Sequence, residues 1–163
     1  MNEMAKLLDA NRKYAARRGS GPSSARPGRE LAIVTCMDVR IEPLAVFGLA
    51  LGEAHVLRNA GGRVTEDVLR SLALSVHVLG ARRIIVMQHT RCGLAGVTDD
   101  ELRAATGAAF DFRPIADHTE ALEEDLGVLA TAEYLQPVAE AFGLLYDVES
   151  GAVAEVTSWR RPD

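Results

Sequence analysis

Two continuous apolar runs are the features that most constrain how this chain folds. They are LAIVTC at residues 31–36 and RRIIVMQH at residues 82–89. Such runs, rich in β-branched residues, are typical of strands buried on both faces, as found in parallel sheets covered by helices. Strand and helix patterns alternate from residue 30 onward. We therefore predict an α/β fold with a mainly parallel central β-sheet flanked by helices.

The remaining elements follow from periodicity and from helix-breaking residues. A second strand is predicted over 53–60, and helices are predicted over 3–18, 41–51, 65–80, 98–107 and 118–135. Thr65 is expected to cap the third helix with its side chain, because threonine is a favoured N-cap residue. The segment GLLYDVESGAVAEV (143–156) has two strand patterns around a Ser-Gly pair, which predicts a C-terminal β-hairpin.

The chain divides at a stretch rich in glycine, serine and proline, residues 19–28. Such composition breaks helices and is typical of linkers. We predict an N-terminal helix and linker arm over residues 1–29 and one α/β domain over residues 30–163, and we expect the domain to carry the chemistry.

Composition excludes several classes of function. The formal net charge is -5, and no basic stripe with interleaved aromatic residues is present, so we expect no nucleic-acid partner. No apolar run approaches the roughly 20 residues that a membrane-spanning helix needs, so we expect no membrane association. The first residues are charged and lack a secretory pattern, which predicts a cytoplasmic protein. In that compartment, the two cysteines are more often metal ligands or reactive groups than a structural disulfide.

Both cysteines stand where the two apolar runs end. Cys36 is the last residue of the first run, His89 is the last of the second, and Cys92 follows three residues later. Ligands of open parallel sheets bind at the carboxyl ends of the strands, so neighbouring strands would bring these side chains together. Three ligands with an open fourth position describe a catalytic zinc site. The alternatives are a Cys36–Cys92 disulfide or two unrelated buried thiols.

An acid and a base follow Cys36 at a spacing of two residues. In extended backbone, Cys36, Asp38 and Arg40 would share one side of the chain. Asp38 would then approach the metal, and Arg40 would hold its carboxylate. Two thiolates cancel the charge of zinc, so a hydrogen-bond acceptor such as Asp38 would help to orient a reacting water. Asp38 could also bind zinc itself and close the site, and the simpler alternative is a surface ion pair or a helix cap.

These motifs resemble those of the β-class carbonic anhydrases. The family's C-x-D-x-R motif matches Cys36, Asp38 and Arg40, and its H-x-x-C-G motif matches His89, Cys92 and Gly93. Its RNAG turn matches residues 58–61, and its C-terminal YDV…G hairpin matches residues 146–148 and 151. The resemblance covers approximately residues 30–157, most of the chain.

The resemblance implies a zinc enzyme, with one zinc per chain, that interconverts carbon dioxide and bicarbonate by attack of zinc-bound hydroxide. It implies that Cys36, His89 and Cys92 bind the metal. By the same resemblance, Asp38 and Arg40 are catalytic, and the backbone of Gly61 and Gly93 lines the substrate pocket. It also implies a homodimer or higher homo-oligomer in which the N-terminal helix packs on the partner.

Three positions depart from the family pattern, and they keep other functions open. Val39 stands where a small residue is usual, Gln88 where glycine is frequent, and Gly62 where asparagine is frequent. Carbonyl sulfide and carbon disulfide hydrolases resemble the same family and share its zinc ligands. A third possibility is a non-catalytic zinc-binding interaction protein in which Asp38 closes the site.

Overall fold

A five-stranded sheet forms the centre of the protein in a computed structural model that describes residues 2–162. Its strands lie in the order β2-β1-β3-β4-β5. The first four strands run parallel, and β5 is antiparallel to β4. The predicted α/β fold with a C-terminal hairpin is therefore confirmed. The strands are β1 (Leu31–Cys36), β2 (Ala54–Asn59), β3 (Arg83–His89), β4 (Glu140–Tyr146) and β5 (Val153–Arg160).

Within residues 2–162, five α-helices accompany the sheet, and most begin and end near the predicted residues. Thr98 and Glu101 form a capping box at the start of α4, and Gly107 ends that helix in the left-handed conformation. Short 3₁₀ turns follow β2 and α5. The helices are α1 (Glu3–Arg18), α2 (Pro43–Val46), α3 (Glu66–His77), α4 (Asp99–Thr106) and α5 (His118–Thr131).

Two details differ from the sequence predictions. The helix predicted over 41–51 is a single turn, because Phe47 already leaves helical geometry and Gly48 takes a positive φ of 62°. Thr65 occupies the N-cap position of α3, but its side chain does not cap the helix within the described residues. Its Oγ1 instead accepts a long hydrogen bond, 3.5 Å, from Asn59 Nδ2.

The main core lies between one face of the sheet and helices α3 and α5. Leu72 of α3 and Leu122 of α5 are fully buried there, together with Val34 and Val86 of the central strands. Gly143 of β4 is packed so closely that an added Cβ would lie 3.2 Å from Leu122 Cβ of α5 and 2.7 Å from Thr157 Cγ2 of β5. This packing fixes β1 and β3 at the centre of the sheet, with their carboxyl ends side by side.

Helix α1 contributes no buried residue to this core. Four apolar side chains on it, Met4, Leu7, Leu8 and Tyr14, are 53–60% exposed. Among the helices of residues 2–162, none has the length and apolar character that crossing a bilayer requires.

Candidate metal centre

The carboxyl ends of β1 and β3 bring the three predicted ligands together. The two strands pair in parallel from Leu31 with Arg83 to Thr35 with Met87, so they end beside each other. The Sγ atoms of Cys36 and Cys92 and a ring nitrogen of His89 all lie within 4.8 Å of one another, and all three residues are buried. Cys36 and Cys92 thus lie side by side although they are 56 positions apart in the sequence.

Cys92 reaches this point because the chain turns back after β3. Thr90 N donates to the Tyr146 carbonyl, and Thr90 Oγ1 accepts from Val148 N, so the chain stays attached to the end of β4. Arg91 then adopts a left-handed backbone conformation, with φ 55°. That conformation is unusual for a residue with a side chain. The turn directs Cys92 back toward Cys36.

The histidine is oriented as a metal ligand. The Nδ1 atom of His89 lies 2.9 Å from the Thr90 carbonyl, which can only accept, so Nδ1 carries the proton. Nε2 is buried and has no hydrogen-bond partner among residues 2–162. A buried ring nitrogen without a partner is costly, and binding a metal ion would satisfy it. A hydrogen bond from the second ring nitrogen to a carbonyl is the usual arrangement for metal-binding histidines.

The two thiols also fit zinc. Their Sγ atoms are 4.0 Å apart, and both cysteines are free. A disulfide would need about 2.05 Å, so the disulfide alternative is wrong for this structure. Two sulfurs that bind one tetrahedral zinc at about 2.3 Å lie roughly 3.8 Å apart. A hydrogen bond from Cys92 lowers the pKa of the Cys36 thiol to about 4 and raises the pKa of the Cys92 thiol, so the pair favours one thiolate, at Cys36, at neutral pH.

Asp38 and Arg40 form a two-pronged ion pair beside the ligands. Arg40 Nε donates to Asp38 Oδ1 at 2.8 Å, and Nη2 donates to Oδ2 at 2.7 Å. These hydrogen bonds hold the pKa of the Asp38 carboxyl well below its usual range. Asp38 Oδ2 also lies 3.9 Å from His89 Nε2. The carboxylate is therefore ionised, held from one side and adjacent to the ligand group.

The backbone around this ion pair is a turn and not the extended chain assumed from the spacing. Arg40 N itself donates to Asp38 Oδ1 at 2.9 Å, which closes the turn after β1. Arg40 Nη2 makes a further hydrogen bond to the Arg91 carbonyl at 3.0 Å. Arg40 thus connects the loop that follows Cys36 to the loop that carries Cys92.

Arg58 supports the same loop from β2. Its Nε donates to the Cys36 carbonyl at 3.0 Å, and its Nη2 donates to the Asp38 carbonyl at 2.6 Å. This role is not evident in the sequence, which indicates a turn after residues 58–59 but not a contact with a loop 20 residues away. Asn59, by contrast, stays local and brackets the backbone of Arg63 with two hydrogen bonds.

An open cavity of about 500 Å³ leads to the ligand group, and Gly61 and Gly93 both line it. Gly61 has a positive φ of 75°, and an added Cβ would lie 3.3 Å from Leu94. Apolar side chains of Met37, Val39 and Leu94 also line the cavity, and Val39 is 95% exposed. The cavity therefore combines an apolar wall with a polar, charged floor.

Known proteins are similar to this chain over most of its length. A family model described as carbonic anhydrase matches residues 31–141. Beta-carbonic anhydrase 1 of Mycobacterium tuberculosis is 38% identical over 143 residues, which cover 84% of this chain and 88% of that protein. The chain belongs to the β-carbonic anhydrase family.

Solved β-carbonic anhydrase structures have the same fold. The crystal structure of the Streptococcus mutans carbonic anhydrase superposes with a TM-score of 0.86 at 37% identity, covering 96% of this chain and 99% of that one. A carbon disulfide hydrolase from Saccharolobus solfataricus is 45% identical over a shorter stretch of 74 residues, which covers 45% of this chain and 36% of that protein. Membership of the β-carbonic anhydrase family alone thus leaves the choice of substrate to the chemistry of the site.

Proposed function

We propose that this chain is a zinc enzyme that reversibly hydrates carbon dioxide to bicarbonate and a proton. One zinc ion per chain is held by Cys36, His89 and Cys92. The observation that carries the proposal is the convergence of three buried ligand atoms within 4.8 Å beside an ionised carboxylate. The similarity of this chain to β-carbonic anhydrases over most of its length supports the same activity.

Charge at the site explains why the carboxylate is needed. When bound, zinc supplies Lewis-acid chemistry that lowers the pKa of water toward neutrality and so provides a nucleophile. Two thiolates and a neutral histidine offset the double charge of the ion, which weakens this effect. Asp38 compensates by accepting a hydrogen bond from the attacking water. This orients the water so that a lone pair on the water oxygen points toward the substrate carbon. Arg40 keeps Asp38 ionised and fixed in position.

The cavity suits a small apolar substrate that becomes an anion. Met37, Val39 and Leu94 offer apolar contacts to carbon dioxide, which carries no charge. The new carbon–oxygen bond forms at the polar floor, where the water loses one proton to buffer. The product is negatively charged, and it forms beside Asp38, whose charge is offset by the Arg40 guanidinium.

A side-by-side assay tests the proposal. Zinc content is measured for the purified chain, and carbon dioxide hydration is followed by stopped flow together with hydrolysis of carbon disulfide and carbonyl sulfide. We expect one zinc per chain and hydration as the fastest of the three reactions. Hydration at the uncatalysed rate in fully zinc-loaded protein would contradict the proposal.

Carbon disulfide hydrolysis is the second candidate activity. The similarity to the Saccharolobus solfataricus carbon disulfide hydrolase supports it, and the apolar wall of the cavity would accept a sulfur-containing linear substrate equally well. The match covers less than half of that protein, whereas the match to beta-carbonic anhydrase 1 covers 88%. Carbon dioxide is therefore the preferred substrate.

A non-catalytic zinc protein would require Asp38 to take the fourth position on the metal. Both carboxylate oxygens of Asp38 are engaged by Arg40, at 2.8 and 2.7 Å. Moving the carboxylate onto the metal would break at least one of these charge-assisted bonds, which are among the stronger hydrogen bonds of proteins. The ion pair therefore supports an open, catalytic site.

We also propose a homodimer or larger homo-oligomer in which residues 1–29 form an arm that packs on the partner, while residues 30–163 form the catalytic domain. The exposed apolar side chains of α1 support this assignment, because an amphipathic helix is stable mainly when its apolar face is covered. Two free thiols that serve as ligands fit a reducing compartment, which supports a cytoplasmic location.

A further inference from the structure

A buried arginine lies behind the candidate metal centre and is not explained by the proposed chemistry. The side chain of Arg63 is 2% exposed. Its Nε donates to Asp125 Oδ2 at 2.8 Å, and its Nη2 donates to Glu124 Oε2 at 2.6 Å. Its Nη1 donates to the Arg113 carbonyl at 2.9 Å. Each nitrogen of the guanidinium group thus has a partner, and these partners lie on two different parts of the chain.

The acidic partners of Arg63 are shared with a second arginine. Arg113 Nη2 lies 2.7 Å from Glu124 Oε1 and 3.3 Å from Asp125 Oδ1. Arg113 adopts a left-handed backbone conformation, with φ 51°, which is uncommon for a residue with a side chain. Two cations and two anions therefore hold the segment before α5 against α5 itself. We call Arg63, Arg113, Glu124 and Asp125 the charge quartet.

On one side, the charge quartet is joined directly to the turn beneath Cys36. Arg63 follows Gly62, whose backbone is wedged between the ends of β1 and β3. An added Cβ on Gly62 would lie 2.9 Å from Cys36 N and 3.0 Å from the Met87 carbonyl oxygen. Any shift of Arg63 therefore moves backbone that is in contact with the backbone of Cys36.

On the other side, the charge quartet reaches the loop that carries Cys92. The residue pair Arg113 and Pro114 leads into Ile115, which is buried. Ile115 N donates to the Leu94 carbonyl at 2.9 Å, and its own carbonyl accepts from Gly96 N at 3.2 Å. The position of Ile115 therefore sets the position of the loop just after Cys92.

We propose that Arg63 is a positioning residue that sets the separation of the two thiolate ligands from behind the metal centre. It connects the turn under Cys36 to the segment that pairs with the Cys92 loop, and its planar guanidinium group fixes both at once. This inference rests on the proposed zinc function and adds to it a determinant of metal retention that lies outside the family motifs.

The strength of the ion pairs cannot by itself explain why the arginine is there. Replacing a buried ion pair by apolar residues of similar size is often neutral or stabilising, because desolvating charges is costly. Removing one partner alone leaves a buried charge and is strongly destabilising. Positioning and stability can therefore be separated by replacing Arg63 and Asp125 together.

The test compares the double variant Arg63→Met, Asp125→Leu with a matched variant, Leu129→Ala. Leu129 is 1% exposed on the same helix, α5, and belongs to the main core cluster, which does not include Cys36 or Cys92. Both are measured, beside the unaltered chain, for the rate of zinc loss to a chelator and for the visible absorption spectrum of the cobalt-loaded protein. The spectrum reports the ligand geometry without reference to activity.

We expect the double variant to fold, to lose zinc at least tenfold faster, and to show shifted cobalt bands, since residues that orient metal ligands typically change affinity by roughly 10- to 100-fold. Leu129→Ala should be less stable and yet keep the original rate and spectrum. An unchanged rate and spectrum in the double variant would overturn the proposal, as would an equal acceleration in Leu129→Ala.

Two further outcomes are distinguishable. If the double variant fails to fold, Arg63→Lys is measured in its place, with the same expected change in zinc loss and spectrum. Lysine keeps the charge but lacks the planar guanidinium group that binds both segments. If the unaltered chain binds no zinc, the proposed function and the positioning role both fail. If the unaltered chain binds one zinc and the Arg63 variants behave like it, only the positioning role fails.

Discussion

At the scale of single residues, we assign metal binding and catalysis to different side chains of the candidate site. Cys36, His89 and Cys92 are buried and offer the three atoms that we assign to zinc. Asp38 and Arg40 are more exposed and contact each other. Because the two groups use different side chains, substitutions in the first group should lower metal content, and substitutions in the second should lower turnover.

The first prediction concerns the thiol ligands. Cys36→Ser and Cys92→Ser should each lose most of the bound zinc, because a serine hydroxyl is a far weaker zinc ligand than a thiolate. Elemental analysis of purified protein measures this. Met37→Ser is the matched control, since it places serine in the same loop at an exposed position and should retain one zinc per chain. One zinc per chain in both cysteine variants would refute the ligand assignment.

The second prediction concerns the carboxylate. Asp38→Asn should keep the metal but lower kcat by roughly 10²- to 10⁴-fold, because an amide cannot serve as the ionised acceptor for the reacting water. Stopped-flow hydration with parallel zinc analysis measures both quantities. Asp67→Asn, on the exposed surface of α3, should behave like the unaltered chain. Near-normal hydration by Asp38→Asn would remove the role assigned to this acid.

At the scale of elements, the sequence predicts β1, β2 and β3 and their ends well. It predicts α2 poorly, because Gly48 ends the helix within a segment of otherwise helical spacing. It also starts the last hairpin at Gly143, which is in fact the middle of β4, where Thr157 of β5 and Leu122 of α5 leave no room for a side chain. The contacts of Arg63 join positions 50 to 62 residues apart, which no local pattern reveals.

The third prediction tests the close packing of Gly62 against the backbone of Cys36. Gly62→Ala should lower the free energy of unfolding by more than about 2 kcal/mol, since it combines a left-handed conformation with close contacts to the backbone of β1 and β3. Gly107→Ala is the matched control: its φ of 69° is equally unfavourable, but an added Cβ has no neighbour within 4 Å among the described residues. That control should cost only about 1 kcal/mol.

Urea denaturation of the metal-free proteins measures both losses on one scale. Equal losses in the two glycine variants would show that backbone conformation alone governs Gly62, and that the contact with Cys36 N is relaxed without cost.

At the scale of the whole molecule, the sheet and its core are complete without α1. The helix is capped by Asn2 and carries ion pairs such as Lys13 with Asp9, so its polar face is suited to water. Its apolar side chains nevertheless remain exposed. An assembly of several chains would cover them.

The fourth prediction concerns this assembly. The double variant Leu7→Ser, Leu8→Ser should shift the protein toward a monomer of 17.5 kDa, because it removes apolar area from the face of α1 that we assign to the partner. Light scattering coupled to size-exclusion chromatography measures the mass. Asp9→Ser with Lys13→Ser removes an ion pair on the opposite, polar face of the helix and should leave the mass unchanged. A monomeric unaltered chain would contradict the proposed homo-oligomer.

The placement of both cysteines at one point has a practical consequence. The chain contains two cysteines, and both belong to the candidate metal centre. No sulfhydryl elsewhere can therefore react with a thiol-specific dye, so labelling speed becomes a direct readout of occupancy. Protection on adding zinc, and its loss on adding a chelator, would follow binding in the purified protein without an activity assay.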